Sequence, residues 1–588
     1  MTPGGGAPVG WVSEARLRTV LAWAVILLAA GPVGAAVVLG VAFGESPCIL
    51  CWAQRTSMVL MALAGLFVLW PAAPPPPAKG ERLAIDLRRA YEAPARPSER
   101  WRRRPVVKLP DGREVARDEA YRDAPDFVPA ARLLLESRSG DDAPLGAWLL
   151  GTLPEARRAE AEPALMETLA HRDPRAAFEA AQALAAAGGE AALGPLRQAA
   201  RVASDAEVRT ASAWAAAEIE RRAGQAVRPL APAGAPSGGL TLAPGFRRGV
   251  SWWMSEGRSD AGEASFRRLA SLGVTWVSIH TWDPLQRGLD EPVFAKPDRH
   301  FGFRDLGALV RSAHAAGLRV MVKPHLEMRS FEATDEERRI FQGPDSPARR
   351  ALAARFEAQR ATGEHLQHNR IAMRDEADWR RWFASYAAYV LPYARDAQAA
   401  GADMFCVGRE MDSTVVKREA DWRALVSRIR AEFRGPLTYS ANFDSWQGIG
   451  FWDTLDFIGV SAYFPLSTRP EPTLAELEAG WDRALEPLEA ASRRWGRPVL
   501  LTEAGFPSIP SAASAPWREE RSPADVWLQA RAYEATLRAL ARRPWIEGTW
   551  FWLWERSSPP AFRDPSHAIV GKPATFTMAR WYSGQATR

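Results

Sequence analysis

The stretch MFCVGRE, from Met404 to Glu410, is an apolar run that closes on a carboxylate, and PVLLTE, from Pro498 to Glu503, repeats that pattern. Six further apolar or aromatic runs alternate with amphipathic helical patterns over roughly the last 340 residues, which predicts a (β/α)8 barrel. The predicted strands are Phe246–Trp253, Thr275–His280, Arg319–Pro324, Met404–Glu410, Leu437–Asn442, Phe457–Ala462, Pro498–Glu503 and Thr549–Trp554. A doubly wound open sheet is the alternative, but no Gly-rich phosphate loop follows the first strand.

The composition excludes several protein classes. A chain of 588 residues with 47% hydrophobic and 24% charged residues is neither disordered nor collagen-like, and it is long enough for several domains. Three cysteines cannot form a disulfide framework. The net charge of +6 is too diffuse to indicate a nucleic-acid partner. Most of the 25 tryptophans lie in the barrel region, which favours a binding cleft lined by aromatic rings.

The amino-terminal part reads as a membrane anchor over residues 17–72, followed by a basic juxtamembrane segment over 73–140. From Thr19 to Phe43 the chain is uncharged and apolar, long enough for a helix across about 30 Å of hydrocarbon. A cleaved signal peptide is the alternative. A second apolar run, Ser57 to Pro71, leaves open whether one or two spans are present, and basic residues on both flanks leave the side of the membrane open.

The middle of the chain repeats at a period of about 31 residues, typical of stacked helix pairs. Three units over residues 141–223 begin at Asp142, Asp173 and Asp205, and we expect each Asp to cap an Ala/Leu-rich helix. The pattern resembles short HEAT repeats, which bind a protein partner or space domains apart. Residues 224–244 are rich in Pro, Gly and Ala and predict a linker before the barrel domain at 245–588.

The predicted strand ends carry the candidate chemistry. A carboxylate that closes an apolar strand is costly unless it is paired or used, and strands four and seven face each other across a barrel mouth. Glu410 and Glu503 therefore form a candidate pair for glycosidic cleavage, and salt-bridged structural glutamates are the alternative. The candidate substrate-binding residues are Trp252, Trp253, His280, Trp282, Lys323, His325, Arg409, Asn442, Tyr463, Trp552 and Trp554.

Several of these motifs occur together in one known family. Gly249-Val-Ser-Trp-Trp253, Phe405-Cys-Val-Gly-Arg-Glu410, Phe457-Ile-Gly-Val-Ser-Ala-Tyr-Phe-Pro465, Leu501-Thr-Glu-Ala-Gly-Phe506 and Trp550-Phe-Trp-Leu-Trp554 carry the match. Residues 245–583 resemble glycoside hydrolase family 113, within a clan of retaining (β/α)8 glycosidases. The resemblance implies Glu410 as acid/base, Glu503 as nucleophile held by Tyr463, and a β-linked mannan-type or related glycan as substrate. The clan commonly has Asn before the acid/base, where this chain has Arg409.

The anchor carries the motif Cys48-Ile-Leu-Cys51-Trp-Ala-Gln-Arg55. Residues 17–72 resemble the opening hairpin of the disulfide-bond formation protein B family, about half of its four-helix bundle. That family has a second cysteine pair, whereas Cys406 is the only other thiol of this chain, so a vestigial anchor is favoured. A redox-active Cys48–Cys51 pair stays an alternative.

The sequence thus predicts a retaining glycoside hydrolase anchored at a bacterial cytoplasmic membrane and acting on a β-linked polysaccharide. No cofactor and no metal are implied, and a protein partner is expected at the helical repeats. The carboxyls of Glu410 and Glu503 should lie about 5–5.5 Å apart, the spacing of a retaining pair. The alternative is an inactive barrel that binds glycans and serves, with the repeats, as a scaffold at the membrane.

Overall fold

The fold is taken from a computed structural model, which describes residues 83–88, 106–108, 114–116, 122, 124–224, 239–253, 259–286, 306–328, 346–351, 370–520, 522–555 and 560–583. Within these ranges, only the backbone is described for residues 106–108, 114–116, 253, 259–261, 282–286, 327 and 328. The predicted anchor with Cys48 and Cys51, and most of the predicted linker, lie outside them. None of the helices inside these ranges has the length and apolar character that a membrane crossing requires.

Six helices form the repeat region. They are α1 (Phe127–Glu136), α2 (Asp142–Gly151), α3 (Arg158–Thr168), α4 (Pro174–Ala187), α5 (Leu193–Val202) and α6 (Ala206–Arg222), and a short hairpin pairs Val106–Lys108 with Glu114–Ala116. Asp173 caps α4 by accepting from the Arg175 N–H, and Asp205 caps α6 by accepting from two backbone N–H groups. These two caps confirm the predicted helix starts.

The predicted cap at Asp142 is wrong. Asp142 is the first residue of α2, and its side chain is buried rather than folded back on the helix. Its carboxylate accepts from Arg88 at 2.8 Å (Nε to Oδ1) and from the Ser137 hydroxyl at 2.6 Å. A buried carboxylate needs a cationic partner, so this side chain ties residues 83–88 to the repeats.

The carboxy-terminal part is a closed barrel of eight parallel strands, as predicted. In chain order they are β1 (Arg247–Trp253), β2 (Trp276–Gln286), β3 (Arg319–Met328), β4 (Met404–Arg409), β5 (Leu437–Asn442), β6 (Phe457–Ser461), β7 (Val499–Ala504) and β8 (Ile546–Trp554). β5 has the predicted bounds. β2 and β3 run further than predicted because they stay paired as far as Gln286 and Met328.

Helices surround this barrel. They are α7 (Ser259–Ser271), α8 (Leu306–Ala315), α9 (Glu376–Ala400), α10 (Asp412–Lys417), α11 (Glu419–Glu432), α12 (Leu474–Trp495), α13 (Val526–Ala541) and α14 (Pro573–Ser583). α12 begins with a capping box between Thr473 and Glu476 and ends at Gly496, whose φ of 61° is the left-handed conformation that glycine adopts without strain.

The barrel interior is filled by side chains from six of its eight strands. An inner cluster contains Trp276, Met321, Met404, Cys406, Phe457, Leu500 and Trp550. β4, β6 and β7 are buried along almost their entire length, because helices cover their outer face and this cluster fills the inner one. The barrel is therefore a packed core, and its open space is confined to the mouth.

The repeats pack directly on the barrel. The ring of Phe576 in α14 lies 5.3 Å from Phe178 and 5.6 Å from Trp214, both on repeat helices. Glu207 in α6 accepts from Thr577 at 2.9 Å and pairs with Arg580 at 3.1 Å. An apolar face that would otherwise be exposed is buried against the barrel, which stabilises both parts.

Candidate active site

The fourth strand ends in an unusual backbone conformation. Glu410 follows β4 with a φ of 52°, the left-handed region that non-glycine residues rarely adopt. Its N–H donates to the Ser440 carbonyl at 2.8 Å, and the next N–H, of Met411, donates to the Tyr439 hydroxyl at 2.8 Å. Such strain costs about 1–3 kcal/mol and persists where neighbouring contacts fix it, typically at functional sites. The strand end thus turns sharply at the carboxylate.

Gly408 makes this turn possible by allowing close packing beneath it. A Cβ at this position would lie 2.7 Å from the Met411 side chain, 2.8 Å from Trp422 and 2.9 Å from Tyr439. No side chain larger than hydrogen fits without moving these neighbours. The glycine therefore fixes the position of the strand end that presents Glu410.

The seventh strand presents a carboxylate held from two sides. Glu503 is fully buried. Its Oε1 accepts from Lys323 Nζ at 2.7 Å, and its Oε2 accepts from the Tyr463 hydroxyl at 2.9 Å. A buried carboxylate with a cationic partner and a hydroxyl donor is stabilised in its ionised form. The arrangement fixes the orientation of Glu503.

One arginine joins the two carboxylates. Arg409 NH2 lies 3.0 Å from Glu410 Oε2, and Arg409 Nε lies 3.0 Å from Glu503 Oε1 without an aligned hydrogen bond. Burial lowers the pKa of Arg409, but the charges of Glu410 and Glu503 outweigh it, and the net pKa is raised above the usual value. The guanidinium is therefore permanently charged, and Glu410 and Glu503 lie on either side of it. Their predicted separation stays a prediction.

Two histidines lie beside this cluster. His325 contacts Arg409 NH1 through its ring, and its carbonyl accepts from the Tyr389 hydroxyl at 3.2 Å. His280 is buried with Nε2 3.2 Å from the Ser278 hydroxyl. Burial, together with the charges of Lys323 and Arg409, lowers the pKa of His280 well below its usual value. His280 is thus a neutral imidazole at physiological pH.

Aromatic rings complete the cluster. Trp552 on β8 lies 5.2 Å from the His280 ring, edge to face, and the Arg409 guanidinium lies 5.9 Å from its centroid. Burial raises the pKa of Tyr463 well above its usual value, and the charge of Glu503 raises it further. The Tyr463 hydroxyl therefore keeps its proton and remains a donor to Glu503.

Asp412 is a neighbour that the sequence analysis did not select. Its Oδ1 accepts from Ser445 at 2.7 Å and its Oδ2 accepts from Asn442 at 3.3 Å. Burial raises the pKa of Asp412 to about 6 against the lowering effect of these hydrogen bonds. Its place two residues after Glu410 is the one sequence signal that could have indicated it. Asn442, a predicted sugar contact, is thus oriented by Asp412.

His567 was also missed, because it lies on a loop far from any strand end. Its ring is 6.1 Å from that of Tyr463, edge to face. Nδ1 lies 2.8 Å from Glu519 Oε1 and Nε2 lies 2.7 Å from the Pro516 carbonyl. Both ring nitrogens therefore face oxygen acceptors, which hold the imidazole beside Tyr463.

Most predicted site residues meet at the barrel mouth, but three differ from the prediction. Lys323 has no exposed surface, and its Nζ pairs with Glu503. Trp252 packs against Phe266 at 5.2 Å in the core outside the barrel. Trp554 is buried near Arg268, also outside the barrel. The side chains of Trp253 and Trp282 lie outside the described residues.

No group of three or more His, Cys, Asp or Glu side chains in the described ranges is arranged to hold a metal ion. The residues at the mouth instead offer two carboxylates, fixed cations and hydrogen-bond donors around an open end of the barrel. Paired carboxylates at the carboxyl ends of barrel strands define the class of site that glycosidic cleavage uses.

Comparison with known proteins agrees with this class. Residues 357–572 match the model of Glycoside Hydrolase Family 113, which confirms the resemblance and the prediction of a glycoside hydrolase. Residues 18–87 match the disulfide bond formation protein DsbB, and residues 130–217 match HEAT repeats, which confirms the other two resemblances. A search of the curated proteins finds no match.

Similar solved structures include mannanases, β-glucuronidases and a β-1,4-galactanase. A family 113 β-mannanase from Alicyclobacillus acidocaldarius is 26% identical, covering 57% of this chain and 97% of its own, with a TM-score of 0.47. A family 113 β-1,4-mannanase is 23% identical, covering 58% of this chain and 99% of its own, with the same TM-score. An endo-1,4-β-D-mannanase from Thermotoga petrophila is 13% identical over 57% of this chain and 99% of its own, with a TM-score of 0.33. These scores carry no argument about the substrate of this chain.

Proposed function

We propose that the barrel is a retaining glycosidase with Glu503 as nucleophile and Glu410 as acid/base. The observation that carries the proposal is the environment of Glu503, a fully buried carboxylate held by Lys323 and by the Tyr463 hydroxyl. A purely structural glutamate would be expected to sit in a salt bridge away from the mouth. This one lies beside a second strand-end carboxylate, with one guanidinium in contact with both.

The proposed reaction has two steps. Glu503 attacks the anomeric carbon while Glu410 gives its proton to the leaving oxygen, and a glycosyl ester forms on Glu503. Glu410, now ionised, takes a proton from water, which attacks the anomeric carbon and releases Glu503 as a carboxylate. Tyr463 and Lys323 hold the nucleophile in one orientation, because each bonds a different oxygen of Glu503.

Arg409 has a distinct part in this scheme. At 3.0 Å from Glu410 its charge favours the ionised form of that carboxyl, whereas the first step needs the proton in place. We therefore expect turnover to increase towards acidic pH. Arg409 also occupies the position where the resembled clan has Asn, so in this proposal it donates to a substrate hydroxyl in place of the amide.

The proposed substrate is a β-linked mannan or a related polysaccharide. The family match supports this class, and the similar structures include two family 113 β-mannanases. Sugar contacts are assigned to Trp552, His280, His325, Asn442 and Arg409, which lie around the two carboxylates. The ring face of Trp552 is the stacking surface in this assignment.

One observation favours a second candidate, an inactive barrel that binds glycans. The Arg409 guanidinium contacts both Glu410 and Glu503, and a permanent pairing of that kind would withdraw both from chemistry. The two candidates differ in one measurable respect, because only the first forms a reducing end from its polysaccharide.

The test is a hydrolysis panel of β-1,4-mannan, glucomannan, β-1,4-glucan and β-1,4-xylan with the full-length chain and the Glu503→Ala and Glu410→Ala variants. We expect mannan to be cleaved and both variants to lose turnover. Added azide should restore cleavage of an activated glycoside by Glu410→Ala with a β-glycosyl azide product, because the nucleophile is intact. Unchanged hydrolysis by Glu503→Ala, or mannan binding without hydrolysis by the unmodified chain, contradicts the proposal.

We further propose that residues 17–72 anchor the enzyme at a bacterial cytoplasmic membrane. The match of residues 18–87 to a membrane protein family supports this placement. Removal of residues 1–72 should move the protein from the membrane fraction to the supernatant after cell lysis. A full-length chain that stays in the supernatant would contradict it. Thiol quantification with a Cys48→Ser control tests the alternative redox role of Cys48 and Cys51.

A further inference from the structure

A pocket lies between the repeat helices and the outside of the barrel. It has a volume of about 780 Å³ and is lined by residues of α2, α4, α6 and α7. None of its lining residues belongs to the cluster around Glu410 and Glu503. The volume lies within the range of small-molecule sites, and the concave face of a helical repeat is a common binding surface.

Arg268 is a cation in this pocket without an acceptor. Its guanidinium lies 5.1 Å from the Trp214 ring and 5.7 Å from the Trp554 ring. Burial lowers the pKa of Arg268, and Glu218 counteracts part of that effect. Across the described residues, no carboxylate or carbonyl accepts a hydrogen bond from this side chain. Arg268 is half-buried, and its buried Nε has no hydrogen-bond partner among the described residues. A buried donor without an acceptor needs an explanation, because it loses hydration and gains no hydrogen bond.

The other three arginines of the pocket differ from Arg268. Arg221 pairs with Glu218 at 2.5 Å, and Arg267 pairs with Glu263. Arg222 donates to the carbonyls at the end of α4 at 2.6 and 2.9 Å. Arg268 is therefore the pocket arginine, of those described, whose charge is available to a ligand.

Glu179 is a second polar group without a partner. It lines the same pocket, is 3% exposed, and has no hydrogen bond or ion pair with any described residue. Burial raises the pKa of Glu179 to about 8, so its carboxyl carries a proton at neutral pH and can donate it. Among the described residues, the pocket thus holds a cation without a hydrogen-bond acceptor, a neutral acid donor and, in Trp148 and Trp214, two indole walls.

We propose that this pocket binds a hydroxylated organic anion of sugar size, such as a sugar acid or a sugar phosphate. Arg268 takes the anionic group, because a guanidinium matches the geometry of both carboxylate and phosphate. Glu179 donates to a ligand hydroxyl oxygen, and the indole rings pack on the apolar face of a sugar ring. Gln182 is not assigned a contact, since its amide already donates to the Gly571 carbonyl at 3.0 Å.

The test is isothermal titration calorimetry on the full-length chain at about pH 7 with D-mannuronate, D-mannose 6-phosphate and neutral D-mannose. We expect at least one anion to bind one site per chain, at least about tenfold more tightly than mannose. Comparison of D-mannuronate with D-mannose 6-phosphate shows whether the pocket prefers a carboxylate or a phosphate group. Absence of binding by both anions at millimolar concentration overturns the proposal.

Two variants test the assigned residues. Arg268→Met should weaken anion binding by about tenfold or more, whereas the matched control Arg267→Met, a neighbour already paired with Glu263, should change it by less than about twofold. Hydrolysis of mannan should be the same in both, because neither lies at the barrel mouth. Equal anion affinity in Arg268→Met and the unmodified chain overturns the assignment.

A pH series gives a readout that does not depend on Arg268→Met folding. Above about pH 8 Glu179 ionises, loses its donor and repels the anion, so affinity should fall in the unmodified chain. Glu179→Gln keeps a donor without a titration, and its affinity should stay level through the same range. The other charged groups of the pocket are Glu218 and the arginines Arg221, Arg222, Arg267 and Arg268. The same fall in both proteins overturns the role of Glu179.

Discussion

The replacement Arg409→Asn tests how the site controls its two carboxylates. The change removes the guanidinium that lies 3.0 Å from Glu410 and 3.0 Å from Glu503, and it introduces the amide that the resembled clan has at this position. Two unit charges about 4 Å apart interact by ~4 kcal/mol at an effective dielectric constant of about 20. One pKa unit corresponds to about 1.4 kcal/mol, so ~3 units is the ceiling for the loss of this charge.

The expected shift is smaller than that ceiling and differs between the two carboxyls. Water and side-chain rearrangement screen the loss, and measured effects of one opposite charge are about 1–3 units. Glu410 loses its cationic neighbour and its pKa should rise by about 1–2 units. Glu503 keeps Lys323 at 2.7 Å and the Tyr463 hydroxyl, so loss of the guanidinium should affect it less.

The assay is the pH dependence of kcat/KM on an aryl β-mannoside between about pH 3 and pH 10. The alkaline limb reports the group that must be protonated, Glu410, and the acid limb reports the group that must be ionised, Glu503. We expect Arg409→Asn to move the alkaline limb upward by about 1–2 units and the acid limb by less, so that the profile broadens. The control is Arg423→Asn, an arginine paired with Glu419 and Asp453 on the outer helices.

A profile of Arg409→Asn that coincides with that of the unmodified chain would refute the reasoning, since the guanidinium would then have no effect on either proton. A downward shift of the alkaline limb would refute it as well. If Arg409→Asn turned over the substrate and the unmodified chain did not, Arg409 would instead be the residue that makes the site inactive.

Two further predictions concern groups that hold the strand ends. Tyr463→Phe removes a hydrogen bond of 2.9 Å to an ionised carboxylate, worth about 1.5–3 kcal/mol, so kcat should fall by about 10- to 100-fold with an unchanged melting temperature; a kcat within twofold of the unmodified value would contradict this. Gly408→Ala places a Cβ within 2.7–2.9 Å of Met411, Trp422 and Tyr439. Denaturant unfolding should therefore show a free energy of unfolding lower by about 1–3 kcal/mol. An unchanged unfolding midpoint would contradict this.

The sequence was sufficient for the features that depend on local pattern. Buried strands ending in a carboxylate predicted β4 and β7, and the position of each strand end predicted that Glu410, Glu503 and Tyr463 would meet at one mouth. The contact between Tyr463 and Glu503 agrees with the role that the family resemblance implied. Such features need only the strand period and the parallel direction of the barrel strands.

Side-chain direction at the strand ends was not predictable in the same way. Trp552 and Trp554 are two residues apart and should share one face, yet the pairing of β8 with β1 shifts register between Phe551 and Trp554. Trp552 consequently reaches the mouth whereas Trp554 packs outside. Trp252 lies two residues after Val250 on the same strand, so the strand period places both side chains on the outer face of the barrel.

Contacts between segments that are distant in the chain could not be predicted from the sequence. Asp142 pairs with Arg88, 54 residues away, and this partner replaced the expected helix cap. The docking of the repeats on α14 depends on Glu207 meeting Arg580, 373 residues away in the chain. No periodicity within either segment indicates such a pairing, because both charges would be equally stable on a solvated surface.

The most direct test of the central claim is covalent trapping of the nucleophile. The full-length chain is incubated with an activated 2-deoxy-2-fluoro-β-mannoside, digested with protease and mapped by mass spectrometry. The account predicts one glycosyl adduct per chain, on the peptide that contains Glu503, with the adduct absent in Glu503→Ala. An adduct on Glu410 or Asp412, or turnover of the substrate without any adduct on Glu503, would contradict it.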